Sequence, residues 1–111
     1  MSDAVPTPAL YILLALSTGP THGYGILQAV REHSGGAVPL GPGSLYRHLS
    51  RLIDGGLVAD SGAPASADPR RGASYRLTPR GREALSVERQ RLTALVSSLK
   101  AAERRLRRDQ A

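Results

Sequence analysis

The 111-residue chain contains no cysteine, no tryptophan and no phenylalanine, and its only aromatic residues are four tyrosines. Without cysteine there can be no disulfide, thiolate metal site or thiol nucleophile, a composition suited to a reducing cytoplasm. Without Phe or Trp, the core has to be assembled from Leu, Ile, Val and Ala. Long hydrophobic runs are missing too. The longest, Ala9–Leu16, falls far short of the ~20 residues a membrane-spanning helix needs. It has no basic flank before it and no small-residue cleavage site after it, so it does not read as a signal peptide. The expectation is a cytoplasmic protein with no membrane partner.

Catalytic and metal chemistry find little support. His22, His33 and His48 stand 11 and 15 residues apart, with no Cys and no paired carboxylates around them. That spacing predicts neither a metal site nor a hydrolytic triad. Gly41-Pro42-Gly43-Ser44 has the look of a phosphate-cradling loop, yet it lacks the Gly-Lys-Ser/Thr ending and follows no buried strand. It reads as a turn that opens a helix. No enzymatic activity and no cofactor are expected.

Lysine is almost absent as well, and here the composition becomes informative. Fourteen of the fifteen basic residues are Arg, nine residues are acidic, and the net charge is +6. The charge is unevenly placed: residues 1–61 hold three basic and four acidic side chains, residues 62–111 twelve and five. A strongly basic half built from Arg points to a polyanionic partner, nucleic acid before membrane, because the planar guanidinium fork matches phosphate and guanine edges.

The chain is long enough for one domain and one additional element. Residues 1–7 read as a disordered arm. Pro8 opens a first helix over about Ala9–Ser17, stopped by Gly19-Pro20. Thr21 is placed to cap a second helix, about His22–His33, closed by Ser34-Gly35-Gly36. A third helix runs from about Gly43 to Asp54. Two strands, about 56–60 and 74–77, form a hairpin around the loop 61–73, which carries Arg70 and Arg71 near its end. Thr78-Pro79 then launches a long helix to about Arg108. The fold class is mainly α with a small β-hairpin: a winged helix-turn-helix domain over 1–78 and a long C-terminal dimerisation helix over 79–111.

Two helical faces carry the functional expectation. On the third helix, Leu45, Leu49, Leu52 and Ile53 line one side, while Ser44, Arg47 and Arg51 fall on the other with Tyr46 at its flank. An apolar face docks the helix, and the polar face is shaped for a DNA major groove. Arg47 and Arg51 can bond guanine or phosphate, and Ser44 and Tyr46 offer hydroxyls. Arg70 and Arg71 would meet an adjacent backbone or minor groove, and Thr21 and His22 would present the second helix's N–H groups to a phosphate. Solvated arginines and a tyrosine ring packed on its own domain are the alternatives. On the last helix, Leu85, Leu92, Leu99 and Leu106 recur every seven residues with Leu95 and Ala102 between them, and Val96 alongside. This is a heptad seam broken at Glu88, and it predicts a homodimer through Leu92, Leu95, Val96, Leu99, Ala102 and Leu106. A module binding an acidic partner protein through the same basic surfaces is the alternative function.

The chain also resembles the PadR-like transcriptional regulators. The resemblance lies in Ile12-Leu13-Leu14-Ala15-Leu16, His22-Gly23-Tyr24-Gly25-Ile26 and Leu40-Gly41-Pro42-Gly43-Ser44-Leu45-Tyr46-Arg47-His48-Leu49. It continues through Arg51-Leu52, Gly55-Gly56-Leu57-Val58 and Tyr75-Arg76-Leu77-Thr78-Pro79-Arg80-Gly81, with Ala84-Leu85. It implies a dimeric repressor of transcription, with a recognition helix carrying the Tyr46 block and a C-terminal helix forming the dimer. In some members a small-molecule effector binds near that interface and weakens DNA binding. Ser44 and Ser74 stand where the family often has Thr and Tyr, and the lack of Trp removes the aromatic stacking pocket some members use.

Overall fold

The computed structural model describes residues 5–64 and 73–110. Prolines and glycines divide the head into its elements. Helix α1 (Thr7–Ala15) starts behind Pro6 and carries a first-turn proline, then tightens into a short 3-10 turn over Leu16–Thr18. Strand β1 (Thr21–His22) leads into α2 (Gly23–Ser34). Gly35 ends α2 in the left-handed region (φ 61°), where a residue with a Cβ would be strained. Helix α3 (Pro42–Asp54) follows, then the hairpin strands β2 (Val58–Pro64) and β3 (Ala73–Leu77), and finally α4 (Pro79–Gln110).

The sheet has three strands in the order β1-β3-β2, all antiparallel. Thr21 pairs with Tyr75 and His22 with Ser74 on one side of β3, while Val58 pairs with Leu77 and Asp60 with Tyr75 on the other. This corrects the expected N-cap. Thr21 is drawn into extended pairing, and His22 caps α2 instead, its Nδ1 accepting from the Gly25 N–H at 3.4 Å.

The core is aliphatic, as the missing aromatics require. Ile12, Leu13, Leu16, Ile26, Val30, Leu45, Leu49, Leu52 and Val58 are buried together with the ring of Tyr75. They come from α1 and its 3-10 turn, α2, α3, β2 and β3, so the first three helices and the sheet close on one another.

The expected arm over 1–7 is shorter than the sequence suggests. Thr7 already lies in α1, Val5 packs against the core, and residues 1–4 lie outside the described ones. Helix α4 plays two parts. Thr78 caps it, accepting from the Gly81 N–H at 3.0 Å while its hydroxyl donates to the Gly56 carbonyl at 2.6 Å. Gly81, Ala84, Leu85 and Glu88 then pack on the head. Beyond them the 32-residue helix, roughly 48 Å long at 1.5 Å per residue, runs clear of the domain. It gives the molecule its 64 Å long dimension.

Candidate nucleic-acid interface

The two faces of α3 separate as the periodicity requires. Leu45, Leu49 and Leu52 are buried, and Arg47 and Arg51 are exposed, with no ion pair or hydrogen bond among the described residues. Two guanidinium groups therefore stand on one helix face with their donors unspent. Ser44 is half-buried, and its hydroxyl turns toward the Gly41 carbonyl at a long 3.5 Å. Gly41 caps the helix and Pro42 fills its first turn, leaving that end open to solvent.

Tyr46 is 52% exposed and leans toward α2. A Cβ placed on Gly23 would come within 3.0 Å of its hydroxyl. Sequence reasoning missed this contact, although the Gly-Tyr-Gly run at 23–25 is its signal. Gly23 leaves room for Tyr46 and Leu45, and a Cβ on Gly25 would run into the Thr21 hydroxyl. Thr21 and His22 are half-buried at the β1–α2 junction, on the same side of the head as Tyr46 through this Gly23 contact. Tyr24 is 65% exposed and its hydroxyl accepts from the Gln28 side-chain amide at 3.4 Å.

Beneath this surface, Tyr75 supports the sheet. Burial chiefly, then the neighbouring Tyr46 and Asp60, pushes its phenol above the ordinary value of 10.0, so it stays neutral. Strands β2 and β3 form the arms of the wing, and Arg76 projects to solvent from β3 between the buried Tyr75 and Leu77. Arg70 and Arg71 lie outside the described residues.

Away from this surface, α4 exposes a row of apolar side chains. Leu92, Leu95, Val96, Leu99 and Leu106 are all open, Leu106 to 63%, and Ala102 is half-buried. A groove of about 560 Å³ opens between α1 and α4, walled by Leu10, Leu14, Leu85, Leu92 and Val96, with Arg89 and Lys100 at its edge. Among the described residues, no cluster of three His, Asp or Glu side chains could hold a metal ion, and no helix is long and apolar enough to cross a membrane.

The sequence matches the transcriptional regulator PadR-like family over residues 12–87. That span runs from the middle of α1 to the first turns of α4 and takes in β1, α2, α3 and the hairpin strands, while the apolar row Leu92–Leu106 lies beyond it. The chain belongs to this family. A crystal structure of a PadR family transcription regulator from Clostridium difficile superposes with a TM-score of 0.70 at 24% identity, covering 83% of this chain and 93% of that one. A PadR-like transcription factor from Bacteroides fragilis gives 0.70 at 22%, covering 84% and 86%. Both identities establish a shared winged-helix fold. RosR of H. salinarum, at 26% identity and a TM-score of 0.63, covers 90% of this chain and 99% of its own. Among curated relatives, an uncharacterized 37.1 kDa protein in transposon TN4556 of Streptomyces fradiae is 42% identical over 79 residues. Those residues are 71% of this chain and 21% of that relative's length. The family and the C. difficile and B. fragilis neighbours are described as transcriptional regulators or transcription factors.

Proposed function

We propose that this PadR-like regulator is a homodimeric, sequence-specific repressor that reads double-stranded DNA with α3. One observation carries the reading: Arg47 and Arg51 stand exposed, and without a partner among the described residues, opposite the buried Leu45–Leu49–Leu52 face. An exposed Arg is ordinary. Two on the free face of a docked helix, beside Ser44 and Tyr46, form a surface of donors suited to a major groove. Arg47 and Arg51 meet base edges or phosphates, and Ser44 and Tyr46 add hydroxyl contacts. Thr21 and His22 place the start of α2 against a phosphate. Arg70 and Arg71 at the wing grip the adjacent backbone or minor groove.

Residues 1–78 act as the DNA-binding head and residues 79–111 as the dimerisation helix. The open row Leu92, Leu95, Val96, Leu99, Ala102 and Leu106 supports pairing, because a lone helix would leave this apolar stripe in water. A twofold dimer places its two α3 helices about one DNA turn apart, roughly 34 Å, on a pseudo-palindromic site. A small-molecule effector near the dimer helices, as in some family members, would use the α1–α4 groove.

Selection of bound sites from random DNA tests the proposal. A motif with two inverted half-sites supports it. Recovery of no motif, or a binding constant indifferent to salt, overturns it.

A further inference from the structure

Glu88 is the one charged side chain buried on α4, only 3% exposed, at a heptad position where a paired helix calls for an apolar residue. Its two oxygens have different partners. Oε2 accepts from the Arg91 guanidinium through Nε at 2.9 Å and a second nitrogen at 2.7 Å. Oε1 accepts from the backbone N–H of Val5 at 3.1 Å, a residue 83 positions away. An ion pair between neighbours on one helix needs no burial. The Val5 bond instead joins the carboxylate to the segment that leads into α1.

We infer that Glu88 is a positioning residue that clasps the start of α1 to α4 and so sets the angle between the DNA-binding head and the dimerisation helix. Val5 immediately precedes Pro6, the residue that caps α1. Proline holds its own φ near −65°, so little slack separates the clasped amide from the helix it leads into. Farther along, α1 and α4 part around the open groove lined by Leu10, Leu14, Leu92 and Val96. Along that groove the two helices are not packed directly together, and the clasp ties them where it closes. Of the ion pair only the Glu88 carboxylate is buried, the Arg91 side chain being 49% exposed, and taking a carboxylate out of water costs more than burying leucine. A residue kept only for stability at this position would therefore be Leu. The inference rests on the function proposed above, because the angle matters only if two heads must reach two half-sites together.

Two variants break the clasp from opposite ends. Val5→Pro deletes the donor N–H and leaves Glu88 and Arg91 intact, with Val5→Ala as the control that loses the side chain but keeps the N–H. Glu88→Leu deletes the acceptor and supplies the apolar residue that the seam calls for. Because the chain has no cysteine, spin labels can be placed at Glu32→Cys on α2 and Arg104→Cys on α4, both exposed, in labelled protein diluted with unlabelled. The head-to-helix distance distribution within one chain is expected to broaden or shift in Val5→Pro and Glu88→Leu, and to keep the parent shape in Val5→Ala. Dimerisation of Glu88→Leu should be as strong as the parent's or stronger. On duplexes whose half-site spacing is varied, both clasp variants should lose affinity at the preferred spacing by roughly tenfold, a typical coupling between distant sites. Distance distributions that superimpose on the parent overturn the inference. Should Glu88→Leu fail to fold, Val5→Pro against Val5→Ala decides it alone. A parent protein that neither dimerises nor binds DNA overturns the proposed function, while the within-chain distance still judges the clasp.

Discussion

The hydroxyl of Tyr46 on α3 sits so close to the α-carbon of Gly23 that an added methyl group would lie 3.0 Å from it. Glycine at the start of α2 thus lets a tyrosine of α3 rest against the neighbouring helix. In Gly23→Ala the flexible, half-exposed tyrosine can swing away, so stability should change by less than about 1 kcal/mol. DNA affinity should nevertheless fall, and Gly23→Ala combined with Tyr46→Phe should cost less than the two separate losses added together. A double-mutant cycle by equilibrium titration checks this, and strict additivity would show that the two residues act independently.

Gly81 presents the opposite case. A Cβ there would run into the Leu57 carbonyl oxygen and come within 2.9 Å of a Leu77 methyl. Backbone cannot step aside as a tyrosine can, so Gly81→Ala should destabilise the fold by about 1–3 kcal/mol or more. Denaturant unfolding measures it, and an unchanged midpoint would mean that α4 docks on β3 less tightly than the structure shows.

Arg47→Ala and Arg51→Ala should each cost about 1–3 kcal/mol on the selected site if the arginine reads a base. Measured beside random DNA, a base contact lowers the specific affinity alone. A phosphate contact lowers both and makes the log–log salt slope shallower by about one.

Leu95→Ala and Leu99→Ala should weaken the dimer without unfolding the head, because neither side chain belongs to the core. Loss of a leucine fully buried between partners costs about 2–5 kcal/mol. Sedimentation over a range of protein concentrations should show dissociation at higher concentration than the parent's. Identical curves would remove these residues from the interface.

Stability should fall at both ends of the pH scale for separate reasons. Hydrogen bonds from Arg91 and Val5 hold the Glu88 carboxyl below its ordinary value of 4.5, against the opposing effect of burial. A depressed carboxylate contributes fully above 4.5, and that contribution is lost as pH falls from 4.5 through the folded-state value. Burial raises the Tyr75 phenol above 10.0, so its contribution is complete below 10.0 and drains away as pH climbs from there through the folded-state value. Denaturant midpoints from pH 6 down to 3 should flatten in Glu88→Gln, and those from pH 9 to 12 in Tyr75→Phe. An acid limb just as steep in Glu88→Gln would assign the loss to other carboxylates.

Much of the head is legible in the linear sequence, and the reason is local. A helix turns about 100° per residue, so the leucines of α3 and the arginines behind them declare two faces before anything packs. Pro42, Gly35 and the Thr78-Pro79 pair mark helix ends through their own backbone and capping chemistry. The heptad of α4 likewise carries its period within itself.

Three features have no such local period. A two-residue strand offers no alternation to detect, and β1 exists only because Thr21 reaches Tyr75, 54 positions on, across the sheet. That pairing also moves the cap of α2 from Thr21 to His22. Glycines at 23 and 25 look like helix weakeners until Tyr46 and Thr21 are seen against them. Glu88 appears only as a break in the seam until Val5 and Arg91 close around it.

By itself, then, the sequence determined an aliphatic, cysteine-free winged helix with an arginine-bearing polar face on its third helix and a seamed terminal helix. Each of these follows from side-chain chemistry repeated at a helical or strand period. The tertiary structure alone decided which residues those elements bring together: the third strand, the glycine seat beneath Tyr46, and the buried carboxylate that ties the first helix to the last. Contacts between residues tens of positions apart depend on how whole elements pack, and no local period records that.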